Sequence, residues 1–294
     1  MSAVELLVDA RNEVGESPVW HPAEQALYWV DIPAKALHRW QEGHAVQSWY
    51  ADEMIGCIAP HAQGGWIAGL ETGIFHLEQT SQHRLPSRLL ARIDHPKQGM
   101  RCNDGRCDRQ GRFLVGTMLM NMAESQQEGC VVSYKKDSKL HSWIDGLYTP
   151  NGMAFSPDGR TLYQSDSHPQ SQMIWAWDYD TSTGTPSNRR VFVDMKPLPG
   201  RPDGAAVDAD GCYWICGNDA GKLYRFTPAG KLDRYIDLPV KKPSMCAFGG
   251  ADMKTLYVTS IRPANVDLSD QPLAGGVFAL RPGIAGLPET FFQP

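Results

Sequence analysis

Four polar residues recur in register along this chain of 294 residues: Glu16, Asn103, Asn151 and Asp203. Each stands eleven positions before a large apolar residue in a strand-like run, namely Leu27, Leu114, Leu162 and Trp214. Ile55 before Trp66 keeps the same time, as does Ser244, one residue late, before Leu256. Brought to one axis, a glutamate, two asparagines and an aspartate form an oxygen-rich cluster. Glu16 and Asp203 cannot be buried ionised side by side without a partner. A divalent cation resolves that repulsion, and Asn151 adds a neutral amide oxygen. Three oxygens leave positions for water and substrate, as a catalytic site requires. Oxygen ligation favours calcium, magnesium or manganese, and carboxylates also admit zinc. Arg101 lies two residues before Asn103, so strand alternation turns both toward the same face.

The elements that must position these residues follow from the spacing. Lead positions are 39, 48, 48, 52 and 41 residues apart. A period of about 40–50 residues built from strands and turns is the mark of a propeller blade, whose equivalent positions converge on a central channel. The expected fold is all-β: a six-bladed β-propeller, one domain over residues 1–294, with a metal site in its channel. Turns are explicit at His21-Pro22-Ala23-Glu24, Ala62-Gln63-Gly64-Gly65, Asp108-Arg109-Gln110-Gly111, Ser156-Pro157-Asp158-Gly159, Asp208-Ala209-Asp210-Gly211 and Gly249-Gly250-Ala251-Asp252. Second strands follow them, as in Ala26–Asp31, Thr161–Ser165 and Thr255–Thr259, and third strands are legible at Gly129–Tyr134 and Lys222–Phe226. The short run Val4–Val8 is expected to pair into the last blade, closing the ring and covering a sheet edge.

Composition narrows the partners. Net charge is −5, with no Lys/Arg block, which argues against nucleic acid and anionic membranes. The N-terminus lacks a basic region followed by an apolar one, and no run reaches roughly 18 apolar residues. A cytoplasmic location is the expectation. Seven cysteines, without paired Cys-x-x-Cys spacing, read as reduced and buried. Oligomeric state is left open.

Six motifs carry a resemblance. Gly15-Glu16-Ser17-Pro18-Val19-Trp20, Arg101-Cys102-Asn103-Asp104-Gly105, Gly116-Thr117-Met118, Pro150-Asn151-Gly152, Ser165-Asp166-Ser167 and Arg201-Pro202-Asp203-Gly204 resemble the SMP-30/gluconolactonase/regucalcin family, in order and across essentially the whole chain. The resemblance implies a six-bladed propeller that binds one divalent ion (calcium, zinc, manganese, magnesium or iron) and hydrolyses a sugar lactone. It implies Glu16, Asn151 and Asp203 as metal ligands, and Arg101 and Asn103 as substrate contacts. The metal would act as Lewis acid on the carbonyl oxygen, with Asp203 as candidate general base.

The family's animal members carry an acid just after Gly-Thr-Met. Here Leu119-Met120-Asn121 stands in that place, with Glu124 the nearest acid. Asn121 and Glu124, on a rim loop over residues 119–129, and His168 are therefore candidate substrate contacts. Asp166 is a candidate support for the metal cluster, and Arg262 a candidate partner for an anionic substituent. Alternatives to a lactonase are a non-catalytic calcium-binding propeller and a hydrolase of other esters. A Ser-His-Asp hydrolase is disfavoured, because no Gly-x-Ser-x-Gly elbow is present.

Overall fold

The computed structural model describes residues 3–135 and 139–294. Met1 and Ser2, where the N-terminal reading begins, lie outside the described residues. Six four-stranded antiparallel sheets form the blades of a β-propeller. Blades 1 to 5 take residues 15–50, 55–92, 100–147, 150–194 and 201–237, each wound from the inner strand outward in chain order. Blade 6 takes its three inner strands from residues 243–280 and its outermost strand from Glu5–Val8. That strand pairs antiparallel with Val277–Leu280, so the ring is closed by joining the two ends of the chain, as the Val4–Val8 run suggested.

The inner strands are buried nearly throughout, and their apolar side chains pack between neighbouring sheets. Aromatics form the wedges. Tyr28 meets Trp66 between blades 1 and 2, with ring centroids 4.5 Å apart. Tyr163 meets Tyr213 at 5.1 Å between blades 4 and 5, and Trp20 stacks on Tyr257 at 5.6 Å across the closure. Each such pair adds about 0.5–1.5 kcal/mol beyond the area it buries.

The Asp-rich turns are hairpin anchors, because their carboxylates are saturated by protein donors. Asp208 accepts the amides of Asp210 and Cys212 on Oδ1, and Trp214 Nε1 and Arg225 Nε on Oδ2. Asp108 does the same with Gln110, Arg112 and Tyr179. All seven cysteines are free, and six are buried.

The outermost strands Ser87–Arg92 and Leu232–Asp237 are largely exposed. The C-terminal tail was not legible as structure either. It crosses the end of the propeller opposite the site residues, pairing with the hairpin ends of several blades. Ala209 N donates to Ala285 O, Phe292 N to Pro60 O, and Gln293 N to Gly111 O. Arg106 and Glu289 form an ion pair at 3.3 Å beneath the channel. Phe292 is 1% exposed and lies against Tyr134 and His61. Replacing Phe292 by Ala is expected to cost about 3–5 kcal/mol. Urea unfolding checks this, and a loss below about 1 kcal/mol would mean that the tail is not part of the cooperative core.

Candidate active site

Each inner strand carries one more residue than its partner at the level of the channel mouth. The shifts fall between Glu16 and Val19, Ile55 and Cys57, Cys102 and Gly105, Asn151 and Ala154, Pro202 and Ala205, and Pro243 and Cys246. Such bulges re-aim side chains and bend the strand. Here they turn polar residues toward the axis on strands that are otherwise apolar.

The ladder refines the spacing argument. Glu16 pairs with Val30, and Asn151 with Ser165. In blades 3 and 5 the residues on the corresponding rung are Cys102 and Pro202. Asn103 and Asp203 therefore lie one position further along, inside the bulge. The eleven-residue spacing runs through turns of unequal length, and the bulge absorbs the difference. In blade 2 the bulge position is Gly56, where an added Cβ would come within 2.4 Å of Cys102 O. Ile55 itself lies in the apolar core, and Ser244 donates to Gly15 O. Blades 1, 3, 4 and 5 thus supply the polar residues.

The backbone beside the candidate ligands is also special. Ser17, after Glu16, has φ 49°, and Gly152, after Asn151, has φ 60°. A non-glycine residue held there carries strain of about 1–3 kcal/mol. Ser17 keeps it by stitching blades 1 and 2, its Oγ accepting from Ile58 N at 3.0 Å. At Gly152 a Cβ would stand 2.5 Å from Tyr213 Oη, whose hydroxyl donates to Gly152 O at 2.7 Å. Gly152→Ala is expected to destabilise by about 2–4 kcal/mol through strain and overpacking. Thermal melting checks it; an unchanged Tm would show that blades 4 and 5 can separate freely here.

Side-chain geometry follows from this frame. Asn151 Nδ2 donates to Asp203 Oδ1 at 2.7 Å and to Ser167 Oγ at 2.8 Å, while its Oδ1 has no hydrogen-bond partner among the described residues. Asn218 Nδ2 donates to Asp203 Oδ2 at 2.6 Å, and the buried Asn218 Oδ1 has no partner among the described residues. Glu16 Oε2 accepts from Ser17 N at 3.1 Å. Arg101 Nη1 donates to Asn103 Oδ1 at 2.8 Å and to Cys102 O at 2.7 Å, and Asn103 Nδ2 reaches Pro150 O in blade 4. Glu16, Asn103, Asn151 and Asp203 are all buried.

Burial is the chief electrostatic fact. It pushes the Asp203 carboxyl up to about 7, against Arg201 and Asn218, which pull it down. Burial, followed by the fields of Asp203 and Asp104, raises Glu16 well above the usual carboxylate range. Asp104 is raised by burial too; its Oδ2 takes Met153 N at 2.8 Å and its Oδ1 has no partner among the described residues. Buried acids that raise one another through their fields fit a divalent cation. Among the described residues no three His, Cys, Asp or Glu side chains gather by themselves. In the set Glu16, Asn151 and Asp203 the third oxygen comes from an amide.

Other anticipated residues lie elsewhere. Asn121 and Glu124 are exposed on the rim loop, outside the hydrogen-bonded cluster. His168 is buried and stacked on Tyr148 at 4.4 Å. Its Nδ1 accepts Gln170 N, so Nε2 carries the hydrogen and donates to Met122 O at 3.1 Å, fastening the rim loop. Asp166 accepts the amides of Tyr148, Thr149 and His168, as Asp31 accepts those of Glu13 and Val14 in blade 1. It anchors a loop, and among the described residues it has no hydrogen bond to Glu16, Asn151 or Asp203. Cys102 Sγ faces Gly73 O in blade 2 and packs in the apolar core. Sequence reasoning missed Asp104, Arg201 and Asn218. Arg201 had a signal, since it precedes Asp203 as Arg101 precedes Asn103. Asn218 had none.

Fold and site together define a six-bladed propeller with a buried carboxylate–amide cluster at one end of its channel. The chain belongs to the SMP-30/Gluconolactonase/LRE-like family, whose sequence profile matches residues 14–262. It is 38% identical over 282 residues to a 6-deoxy-6-sulfogluconolactonase of Pseudomonas putida, covering 95% of this chain and 94% of that one. It is 32% identical to regucalcin of Danio rerio over 97% of this chain and 96% of the other. The solved structure of a calcium-binding protein, regucalcin, from Agrobacterium tumefaciens superimposes with a TM-score of 0.92 at 26% identity, covering 100% and 98% of the two chains.

Proposed function

We propose that this protein is a lactonase that opens a sugar lactone to the aldonic acid with the help of one divalent cation. The observation that carries the reading is the buried network in which Asn151 and Asn218 hold both oxygens of Asp203 beside Glu16. The lactonase relative, similar along nearly its whole length, supports it. A cation held by Glu16, Asn151 and Asp203 would supply charge compensation and Lewis acidity toward the carbonyl oxygen.

The chain's own residues do the rest. Water attacks the carbonyl carbon while Asp203 takes its proton. The ring C–O bond then breaks, and the proton passes from Asp203 to the leaving ring oxygen. Burial raises the proton affinity of Asp203 in the metal-free chain and so opposes the lowering that a bound cation would bring, and the two amides fix the direction of its lone pairs. Arg101, with Nη1 committed to Asn103, has its other N–H groups for the lactone's oxygens. Asn121 and Glu124 would meet sugar hydroxyls from the rim loop, which His168 fastens through Met122 O.

The test is proton release on adding a panel of aldonolactones to chelator-stripped protein resupplied with Mg²⁺, Ca²⁺, Mn²⁺, Fe²⁺ or Zn²⁺, with spontaneous opening subtracted. Hydrolysis restored by one of these ions supports the reading. Cation binding without turnover of any lactone would favour a regulatory calcium-binding role, in line with the regucalcin relatives.

A further inference from the structure

Arg101 and Arg201 occupy matching places, each two residues before a polar residue of the cluster, yet they meet different surroundings. Arg101 is enclosed beside Glu16, and its Nη1 is committed to Asn103 and Cys102. Arg201 stands at the rim, with its side chain 23% exposed. Its Nε donates to Asp219 Oδ2 at 2.6 Å and its Nη1 to Ser167 O at 3.1 Å, while Nη2 has no partner among the described residues. Ser167 in turn accepts the Asn151 amide on its Oγ. The guanidinium is therefore one residue removed from the proposed ligand set.

The counterion is shared. The other oxygen of Asp219 pairs with Lys242, the residue just before the inner strand of blade 6. Asp219 sits in a turn with φ 77°, a left-handed conformation that aspartate tolerates better than most residues but still at a cost. Arg201 also faces the buried Asp203, and once the proposed cation balances Asp203 and Glu16, the two cations on Asp219 leave one positive charge in excess. It is partly sheltered from water, where screening is weaker than on an open surface.

Other cations near this end are differently engaged. Lys97 ties the rim loop through Glu128 and Glu124 O. Lys241 pairs with Asp270. Arg262, anticipated from the sequence as the anion partner, donates from Nη1 to Ala274 O and from its backbone to Asn12 and Glu13. It fastens a loop and offers no comparable excess of charge.

We propose that Arg201 and Lys242 form an anion subsite at the channel rim, which takes a tetrahedral oxyanion, sulfonate or phosphate, carried on the lactone at the end of the sugar remote from the carbonyl. The assignment rests on the lactonase reading. The free Nη2 supplies a directed donor, Lys242 supplies a point charge, and the incoming anion competes with Asp219 for both. The subsite adjoins the ligand set through Ser167, so one substrate can touch both.

The experiment compares, with metal-loaded protein, glucono-1,5-lactone against its 6-phospho and 6-deoxy-6-sulfo counterparts. Wild-type kcat/KM is expected to favour one anionic lactone by about tenfold or more, the weight of one charge-assisted hydrogen bond. The phospho and sulfo arms identify the oxyanion. Arg201→Gln lowers that preference about tenfold, mainly through KM; Lys242→Gln weakens it further in the double variant, and Arg262→Gln leaves it intact. Equal rates on neutral and anionic lactones, or a preference that survives Arg201→Gln, overturns the subsite while leaving the lactonase reading in place. If no lactone is hydrolysed, calorimetry with glucose 6-phosphate against glucose decides the subsite separately. Binding of the phosphate that Arg201→Gln abolishes supports it, and equal affinity for the two sugars overturns it.

Discussion

Asp203→Asn is expected to lower kcat for the best lactone by about 10²–10⁴-fold, the range that general acid–base catalysis contributes. Asn keeps the size and one oxygen of Asp203, but it cannot take a proton. It also turns one carboxylate contact into an amide facing Asn151 or Asn218, each of which donates to Asp203. The fold should tolerate the change, because burial already raises the Asp203 carboxyl to about 7 and the neutral side chain relieves a desolvated charge. The predicted signature is thus a loss of turnover with an unchanged or higher Tm in chelator. A variant that opens lactone at the wild-type rate would falsify the base assignment. A variant that unfolds would show that the charge of Asp203 holds blades 4 and 5 together.

The second large effect is a coupling between metal, protons and stability. Glu16 and Asp203 are raised in the folded chain, so without a cation the folded state binds more protons than the unfolded state. Stability from this source is fully present below the usual carboxylate value of about 4 and is lost as pH rises through about 7. For Asp203 the loss amounts to a few kcal/mol. A cation that binds the ionised carboxylates reverses the loss and releases protons as it binds. The stabilisation by metal should therefore grow from pH 5 to pH 7.5, and calorimetry in buffers of different ionisation enthalpy should register proton release that shrinks with rising pH. Melting curves in chelator and in excess Ca²⁺ or Mg²⁺ measure the first effect. An increment in Tm that is constant across this window, without proton release, would place the cation away from Glu16 and Asp203.

Much of the architecture was legible because it is local. Asp108 and Asp208 in their turns, the apolar runs that follow, and the third strands Gly129–Tyr134 and Lys222–Phe226 are set by backbone preference and side-chain alternation within a few residues. The outer strands escaped notice for the converse reason. Leu232–Asp237 alternates only partly and lies largely exposed, so its residues look like those of a loop until a third strand is there to pair with it. The candidate ligands were legible as recurring polar residues, and the resemblance assigned roles to them.

What the sequence determined by itself was the number of blades, the closure by Val4–Val8, and the polar residues Glu16, Asn103, Asn151 and Asp203 at the head of their strands. Each depends on short-range rules that the chain repeats. Only the tertiary structure decided how those residues meet. The bulges shift Asn103 and Asp203 by one position relative to Glu16 and Asn151, and the packing of blade 4 against blade 5 lets Asn151 reach Asp203. Asn218 and Arg201 join through strand pairing and the turn at Asp219, and the tail crosses beneath through backbone bonds to distant hairpins. These contacts depend on turn lengths, on one extra residue in a ladder and on the curvature of a closed ring. No local pattern encodes such quantities, because they are sums over the whole circuit of the chain.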